Sequence, residues 1–336
     1  MKAARTTPLD PSGPGRQSLV GIARLAAESA KARARAGVEY FALASRSALN
    51  RESNRSMPFA WSLNPYRGCE FGCKYCYARY THEFMELRNG LDFERRIFSK
   101  VTAPELLRQE LAAFRDRGRP IALGTATDPY QPAEKQFQIT RRLLEVMLEF
   151  EGLDFSITTK GVLILRDMEL LSRLARKHRF SAHLTVTTTD ARLARLLEPK
   201  APPPAQRLAA VRKLVQAGIR VGVNLAPILP GLTDEPSSLE SVIRQAAEAG
   251  AQFLHANVLF LMPSAMAQFM PFLEREFPRL VRRYRRLYAR SAYLPEDYKQ
   301  QMIEHVRALR ARYGFDAAPD PPPASPFLTQ RALPFL

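Results

Sequence analysis

The chain has 336 residues, of which 46% are hydrophobic, enough to fill one large α/β domain or two ordinary ones. Its formal net charge is +17, so an anionic partner such as a nucleic acid fits the charge, as does a merely solvated basic surface. Three cysteines are too few for a disulfide framework, and no apolar run reaches the roughly 18 residues that a membrane-spanning helix needs.

Residues 1–55 differ in composition from the rest of the chain. A turn-rich segment, PLDPSGPGRQ, precedes IARLAAESAKARARAG, which is typical of a helix with scattered Arg and Lys residues. We therefore expect a basic, partly disordered N-terminal arm. Because this N-terminus lacks the apolar segment of a secretory signal, the sequence also predicts a cytoplasmic protein with free thiols.

Residues 56–316 alternate between short apolar runs and longer helical stretches, which predicts parallel strands joined by crossover helices. The candidate strands are one leading into Cys69 and then residues 121–128, 155–160, 181–190, 219–229 and 253–260. The candidate helices are residues 104–118, 139–152, 166–178, 204–218 and 238–250. About six β/α units predict an α/β fold, a partial (β/α)6 TIM-type barrel with its site at the carboxyl ends of the strands.

The segment NPYRGCEFGCKYCYAR contains every cysteine of the chain, namely Cys69, Cys73 and Cys76. Thiolates spaced C-x3-C-x2-C on a glycine-containing loop can turn towards one centre, as metal ligands do. Three protein ligands on a four-iron cubane leave one iron open for a substrate or cofactor. The alternative is a structural zinc site with His82 as the fourth ligand, in a non-catalytic module that binds nucleic acid.

The cysteine motif, with an aromatic residue before its last cysteine and a six-unit β/α pattern after it, resembles the radical S-adenosylmethionine (SAM) superfamily. The resemblance runs from about residue 55 to about residue 312. Within that superfamily, GTATDPYQPAEKQFQITR, ITTKGVLILRD and TVTTTDARLARLLEP resemble the branch related to spore photoproduct lyase, also described as DNA repair photolyase-like. The resemblance implies an enzyme of the lyase or oxidoreductase type that needs an external one-electron reductant of the flavodoxin or ferredoxin type.

The resemblance also implies a role for particular residues. Cys69, Cys73 and Cys76 would bind a [4Fe-4S] cluster whose open iron chelates SAM, and reductive cleavage would yield a 5′-deoxyadenosyl radical that abstracts hydrogen from a substrate. The implied cofactor contacts are Tyr75 beside the adenine, Thr125 and Asp128 near the methionine amino group, Lys160 at the methionine carboxylate, and Thr185 and Thr187 at the ribose or carboxylate. Candidates for substrate contact are Asp128, Tyr130, Gln131 and Glu134, and their alternative is a turn at a strand end.

The cysteine count limits the chemistry. The lyase that names this branch uses an additional cysteine to return a hydrogen atom to its product, whereas all three cysteines here belong to the cluster motif. We therefore predict that the chain is not a spore photoproduct lyase and that it has no second cluster with Cys ligands.

DNA or RNA is an open substrate class. Residues 279–290 interleave Arg with Tyr284 and Tyr288 on a predicted helix, which could hold a backbone and stack a base, or could simply bury its tyrosines. In the Pro-rich tail, residues 317–336, the residues Gln330, Leu333 and Phe335 form a pattern that resembles the peptide by which bacterial repair and replication proteins bind the sliding clamp. The alternative is an apolar tail that packs on its own domain.

Overall fold

The computed structural model describes residues 19–35, 37–54, 57–87, 89–114 and 118–315. The strands of this part are β1 (Ala30–Arg35), β2 (Val38–Leu43), β3 (Leu49–Arg51), β4 (Trp61–Leu63), β5 (Tyr66–Arg67), β6 (Arg96–Lys100), β7 (Ile121–Leu123), β8 (Asp154–Thr159), β9 (Arg179–Thr185), β10 (Val221–Ile228) and β11 (Phe253–Val258). Its α-helices are α1 (Gly21–Glu28), α2 (Tyr80–Glu83), α3 (Asp92–Arg95), α4 (Ala103–Ala112), α5 (Glu134–Phe137), α6 (Ile139–Leu148), α7 (Met168–Lys177), α8 (Ala191–Leu197), α9 (Pro204–Gln216), α10 (Pro236–Glu248), α11 (Pro263–Glu276), α12 (Val281–Leu287) and α13 (Glu296–Arg312). Among these helices, none is both long and apolar enough to cross a membrane.

The larger sheet has seven strands in the order β11-β10-β9-β8-β7-β4-β3. Neighbouring strands from β4 to β11 are parallel, and β3 is antiparallel to β4 at one edge. Because the parallel strands are neighbours in chain order and are joined by helical crossovers, the sheet curls as in a TIM-type barrel. The predicted partial (β/α)6 barrel is confirmed, with β11 and β3 as its two edges.

One predicted strand is shorter than expected. The strand predicted over residues 121–128 ends at Leu123. The next residue, Gly124, has φ +94°, and a Cβ there would lie 2.6 Å from the carbonyl oxygen of Thr158. This backbone turn, open only to glycine, releases residues 124–128 from the sheet and makes them a loop above its carboxyl end.

Side chains alternate along the barrel strands between two faces. On β9, Phe180, Ala182 and Leu184 are buried, whereas Ser181 and His183 between them are half-buried. β8 shows the same alternation, with buried Phe155 and Ile157. The apolar face packs against helical residues such as Leu171 and Leu174 in the main hydrophobic core.

The N-terminal region departs from the expectation of a basic arm. The helix predicted over residues 22–37 ends at Glu28, and the chain continues into β1, which pairs with β2. β2 then pairs with β6 in a smaller sheet of order β1-β2-β6-β5, and its Tyr40, Phe41 and Leu43 are buried. Burial of these apolar side chains outweighs the helical tendency of the Ala- and Arg-rich segment before them. Residues 1–18 lie outside the described residues, as does the predicted tail with Gln330, Leu333 and Phe335.

Helix α12 buries its tyrosines. Tyr284 is fully enclosed, and the Tyr288 hydroxyl donates a hydrogen bond to the carbonyl oxygen of Leu259 at 2.9 Å. The interpretation in which these rings stack on bases is therefore wrong, and that of an ordinary helix with buried tyrosines is confirmed. Arg282 and Arg286 on the same helix are exposed.

Candidate active site

The three cysteines lie on the loop that follows the short strand β5, which itself comes directly after the carboxyl end of β4. Cys69 and Cys73 are buried, and Cys76 is half-buried. Burial, then the Asp128 carboxylate and the charges of Cys73 and Cys76, raises the pKa of the Cys69 thiol well above its usual range.

This donor set fits an iron–sulfur cluster. Burial raises the pKa of Cys73 to about 12, against the opposing charge of Lys160, so the thiolate form needs a nearby cation. Bound metal ions supply that charge and deprotonate the thiols that coordinate them. In the described residues, the side chains do not already form a group of three or more His, Cys, Asp or Glu around one point. The fit therefore rests on three soft sulfur donors on one short loop.

The beginning of the cysteine loop is fixed by backbone hydrogen bonds. The carbonyl oxygen of Gly68 accepts from the Thr127 hydroxyl at 2.6 Å and from the Gln131 amide at 3.1 Å. The N–H of Cys69 donates to the carbonyl oxygen of Phe93 at 2.8 Å. The loop after β7 therefore fixes the backbone before Cys69, the first of the three predicted ligands.

The end of the loop is fixed by Arg79, which sequence reasoning missed. Its guanidinium donates to the carbonyl oxygens of Cys73 at 3.0 Å and Gly90 at 2.7 Å, and it pairs with Glu94 at 2.9 Å. This ion pair is almost fully buried. Nothing in the sequence distinguished Arg79 from the many other arginines, because its partners come from the segment that leads into β6.

Gly68 provides a test of how closely the loop must be placed. Its φ is +81°, and an added Cβ would meet the carbonyl oxygens of Phe93 and Arg96 at 2.8 and 2.9 Å. We expect Gly68→Ala to lower both the free energy of unfolding and the iron bound after reconstitution. The matched control is Gly218→Ala, at φ +75° with no atom within 4 Å, which should cost only the roughly 1–2 kcal/mol of a left-handed alanine. Equal losses in the two variants, measured by chemical denaturation and iron analysis, would show that the close contacts around Gly68 are unimportant.

Asp128 connects the loops after β7 and β8. Its carboxylate accepts from the N–H of Tyr130 at 2.9 Å, the Thr159 hydroxyl at 2.5 Å and the N–H of Lys160 at 2.7 Å. Burial raises the pKa of Asp128, while these hydrogen bonds act in the opposite direction. The contacts give Asp128 a positioning role for Lys160, and its predicted contact with the methionine amino group stays a prediction.

Thr125 lies in the same loop. Its hydroxyl accepts a hydrogen bond from the Asn64 amide at 3.0 Å, and its carbonyl oxygen accepts one from the Tyr77 hydroxyl. Thr125 thus links the end of β4 to the residue that follows Cys76. Its contact with the cofactor also stays a prediction.

Lys160, at the end of β8, brings the cysteine loop and a buried carboxylate together. Its Nζ atom lies 3.9 Å from Oε1 of Glu198 and 5.7 Å from the centre of the Tyr75 ring. Burial alone would lower the pKa of Lys160, but the Cys73 and Glu198 charges outweigh it and raise the pKa above its ordinary value. The ammonium therefore stays charged, and with 17% of its side chain exposed it is accessible to an anionic group in the barrel.

Glu198 is the centre of this network, and sequence reasoning missed it. Its carboxylate accepts hydrogen bonds from the Tyr75 hydroxyl and from the Thr187 hydroxyl, the latter at 2.8 Å. The same carboxylate pairs with Arg207, and both side chains are 1% exposed. Although burial would raise the pKa of Glu198, Arg207 and Lys160 outweigh it and lower the pKa.

The structure brings most of the predicted cofactor residues together. Tyr75 and Thr187 lie within 3.0 Å of each other through their hydroxyl groups, next to Glu198. Thr185 is buried nearby, and its carbonyl oxygen accepts from Arg207 at 3.1 Å. Thr125 and Asp128 lie on the neighbouring loop, where Asp128 holds the backbone of Lys160.

The residues suggested for substrate contact do not line an accessible surface. Tyr130, Gln131 and Glu134 are at most 2% exposed. Besides holding Gly68, Gln131 accepts from the N–H of Glu70 at 3.0 Å, while Glu134 pairs with Arg166 at 2.8 Å. The interpretation of substrate contact is therefore wrong for these three residues, because their side chains are buried within the protein.

His82 is bound elsewhere than at the cysteines. Its Nε2 atom lies 3.1 Å from the carbonyl oxygen of Arg96, and its ring packs edge-on against Phe93 and Phe98. Burial lowers its pKa to about 4. Within the described residues it joins no group of three or more metal-binding side chains, so the structure lends no support to a Cys3His zinc site.

The partial β/α barrel with three cysteines on a loop near the carboxyl ends of its strands agrees with what the resemblance to the radical SAM superfamily implies. The family model described as the Radical SAM superfamily matches residues 63–260. This is more than half of the chain, and the protein belongs to that superfamily. The predicted enzyme class is thereby confirmed.

The chain is also similar to individual proteins and to solved structures. An uncharacterized protein of Mycobacterium tuberculosis is 37% identical over 289 residues, which cover 85% of each chain. An uncharacterized protein of Methanocaldococcus jannaschii is 29% identical over 64% of this chain and 76% of its own. Among solved structures, a spore photoproduct lyase mutant with bound AdoMet and dinucleoside spore photoproduct matches with a TM-score of 0.61 at 13% identity, over 89% of this chain and 86% of that chain. The predicted likeness to spore photoproduct lyase is confirmed for the fold.

Proposed function

We propose that this protein binds a [4Fe-4S] cluster through Cys69, Cys73 and Cys76 and cleaves SAM reductively at that cluster. The observation that carries the proposal is Lys160, a partly accessible ammonium at the end of β8 that lies 3.9 Å from Glu198 and 5.7 Å from the ring of Tyr75 in the cysteine loop. When bound and reduced, the cluster supplies the electron that splits SAM into methionine and a 5′-deoxyadenosyl radical, which takes hydrogen from the substrate.

The residues around Lys160 have separate roles in this proposal. Lys160 binds the methionine carboxylate of SAM, since its ammonium is partly accessible and lies beside the buried carboxylate of Glu198. Glu198 fixes Tyr75 and Thr187 by accepting hydrogen bonds from their hydroxyl groups, and so holds the ring of Tyr75 beside the adenine. Asp128 orients the backbone of Lys160. The barrel then encloses the reacting groups and excludes water from them.

Removal of the Lys160 charge should weaken SAM binding. A hydrogen bond to a charged group contributes about 1.5–3 kcal/mol, so we expect Lys160→Gln to raise the KM for SAM roughly 10- to 100-fold. The control is Lys135→Gln, whose side chain is exposed on α5. The measurement is the rate of 5′-deoxyadenosine formation over a range of SAM concentrations. An unchanged KM in Lys160→Gln would remove this residue from the SAM site.

Anaerobic purification and reconstitution test the proposal as a whole. We expect a brown protein that contains iron and sulfide and, once reduced by a flavodoxin or ferredoxin type of donor, converts SAM to 5′-deoxyadenosine. A colourless protein with stoichiometric zinc and no cleavage of SAM would refute the proposal. Because such a cluster and three free thiols persist in a reducing environment, the cytoplasm is the proposed location.

The proposed substrate class is nucleic acid. The excess of positive charge suits a polyanion, and Arg282 and Arg286 present part of it on an exposed helical face. A protein with this fold has been solved with a dinucleoside spore photoproduct bound, so such a barrel can admit a group of nucleotide size. Because the three cysteines are all assigned to the cluster, repair of spore photoproduct itself is not proposed. A dinucleotide of that lesion should remain unchanged when incubated with the reduced enzyme.

A further inference from the structure

Three aromatic rings form a continuous row beside the cysteine loop. Tyr77 directly follows Cys76, and the centre of its ring lies 5.2 Å from that of Phe260, just beyond β11. The Phe260 ring lies 5.7 Å from Tyr293, and their planes differ by 24°. Tyr77 is 37% exposed and Tyr293 56% exposed, so both ends of this aromatic row can be reached from solvent.

The aromatic row is held by backbone contacts from three parts of the chain. The Tyr77 hydroxyl donates to the carbonyl oxygen of Thr125 in the loop after β7. The N–H of Leu261 donates to the carbonyl oxygen of Ala292 at 2.8 Å, which ties the end of β11 to the segment with Tyr293. Exposed aromatic rings that adjoin one another in this way mark interaction surfaces more often than isolated exposed residues do.

The segment of the chain that contains Tyr293 is strongly basic. Residues 279–295 contain six arginines and no acidic residue. Arg283 and Arg285 pair with Asp234 and Glu274. The other four are exposed, namely Arg279, Arg282, Arg286 and Arg290. A segment that carries both an exposed aromatic ring and exposed guanidinium groups suits a ligand with flat, stackable groups on an anionic backbone.

We propose that the aromatic row is a stacking surface for the unpaired bases of a single-stranded or locally opened nucleic acid. The arginines of residues 279–290 contact its phosphates. This inference rests on the proposed function, since it brings a nucleotide to the part of the barrel where the cysteine loop lies. Stacking suits this position because it accepts any base and leaves the sugar and the adjacent nucleotide free to enter the site.

Binding of fluorescently labelled oligothymidylate to the full-length protein, measured by anisotropy at several salt concentrations, tests the inference. One stacked base contributes about 1–3 kcal/mol, so we expect Tyr293→Ala to weaken binding roughly tenfold. Tyr293→Phe, which keeps the ring, should bind like the unmodified protein. The matched control is Phe84→Ala, because Phe84 is 60% exposed but packs on Tyr80, outside the row.

An abasic oligomer of the same length distinguishes stacking from backbone contact. We expect the abasic oligomer to bind Tyr293→Ala and the unmodified protein equally. The inference is overturned if Tyr293→Ala binds oligothymidylate as Phe84→Ala does, or if it loses equal affinity for both oligomers. It is also overturned if Tyr293→Ala binds normally but accepts electrons more slowly from a reduced flavodoxin, since the row would then be a docking site for the reductant.

The proposed function is read separately, from SAM cleavage by the unmodified protein without oligonucleotide. Cleavage of SAM together with unaltered binding by Tyr293→Ala would overturn the stacking surface alone. Absence of cleavage would overturn the proposed function, whatever the oligonucleotides show.

Discussion

Replacement of Cys73 by serine is expected to reduce 5′-deoxyadenosine formation to background and to lower the iron bound after reconstitution. Serine offers a hard oxygen in place of a soft thiolate, and an iron–sulfur cluster needs the thiolate. Cys73 is buried beside Lys160. Because the other two cysteines of the chain are assigned to the same cluster, no thiol is free to substitute for it. The same result is expected for Cys69→Ser and Cys76→Ser.

The matched control is Lys74→Ser, in the same loop between two of the ligands. Lys74 contributes its backbone N–H to the carbonyl oxygen of Leu197 at 2.9 Å, and serine keeps that hydrogen bond. Lys74→Ser should therefore retain iron and cleave SAM. If Cys73→Ser retained full iron and activity, the assignment of the cluster to this loop would be wrong.

Replacement of Glu198 by alanine is expected to lower the free energy of unfolding by about 3–5 kcal/mol, since it leaves the buried charge of Arg207 without its countercharge. It also removes the acceptor for Tyr75 and Thr187, so the KM for SAM should rise. Chemical denaturation and SAM titration measure the two effects. The control is Glu149→Ala, because Glu149 pairs with Arg108 on the surface, where such a pair contributes about 0–1 kcal/mol.

A second variant keeps this prediction testable if Glu198→Ala does not fold. Glu198→Leu combined with Arg207→Met removes both charges together with the acceptor for Tyr75 and Thr187, and replacement of a buried pair by hydrophobic residues of similar volume is often harmless to stability. We expect the double variant to fold but to bind SAM weakly. Near-normal stability in Glu198→Ala would contradict the importance of the pair.

The stability from Glu198 should also depend on pH in a defined direction. Its pKa in the folded protein lies below the ordinary value, because Arg207 and Lys160 outweigh burial. Its contribution is therefore fully present above the pKa of the unfolded chain and is lost as the pH falls through the folded-state pKa. The opposite trend in the difference between the unmodified protein and the double variant would contradict this sign.

Local patterns in the sequence were sufficient for the barrel and the cysteine loop. Short apolar runs such as residues 155–160 and 253–260 alternate along the chain with segments of helical periodicity. The structure has strands at both of these runs. The three cysteines lie within eight positions of one another, so their proximity needed no knowledge of the fold. The position of Lys160 was equally readable, since it is the last residue of the strand predicted over residues 155–160.

Contacts between distant segments could not be read in this way. Glu198 directly follows α8, and Arg207 lies on α9. In the sequence each is one charged residue among many, and only the fold buries them together. Gln131 looked like part of a strand-end turn, yet its amide holds the cysteine loop about sixty positions earlier in the chain. Strand β2 could not be predicted from the basic, Ala-rich composition of residues 1–55. Its formation depends on pairing with β6, a segment far along the sequence.

The most direct test of the account is whether SAM binds an iron of the cluster. Electron–nuclear double resonance of the reduced protein, with SAM isotopically labelled in its amino and carboxyl groups, measures this coordination without any need for a substrate. If SAM binds the cluster as proposed, hyperfine coupling from the labelled atoms to the cluster is expected in the unmodified protein. We expect this coupling to be weaker in Lys160→Gln at the same SAM concentration. A cluster signal that SAM leaves unchanged, or no cluster signal at all, would contradict the account.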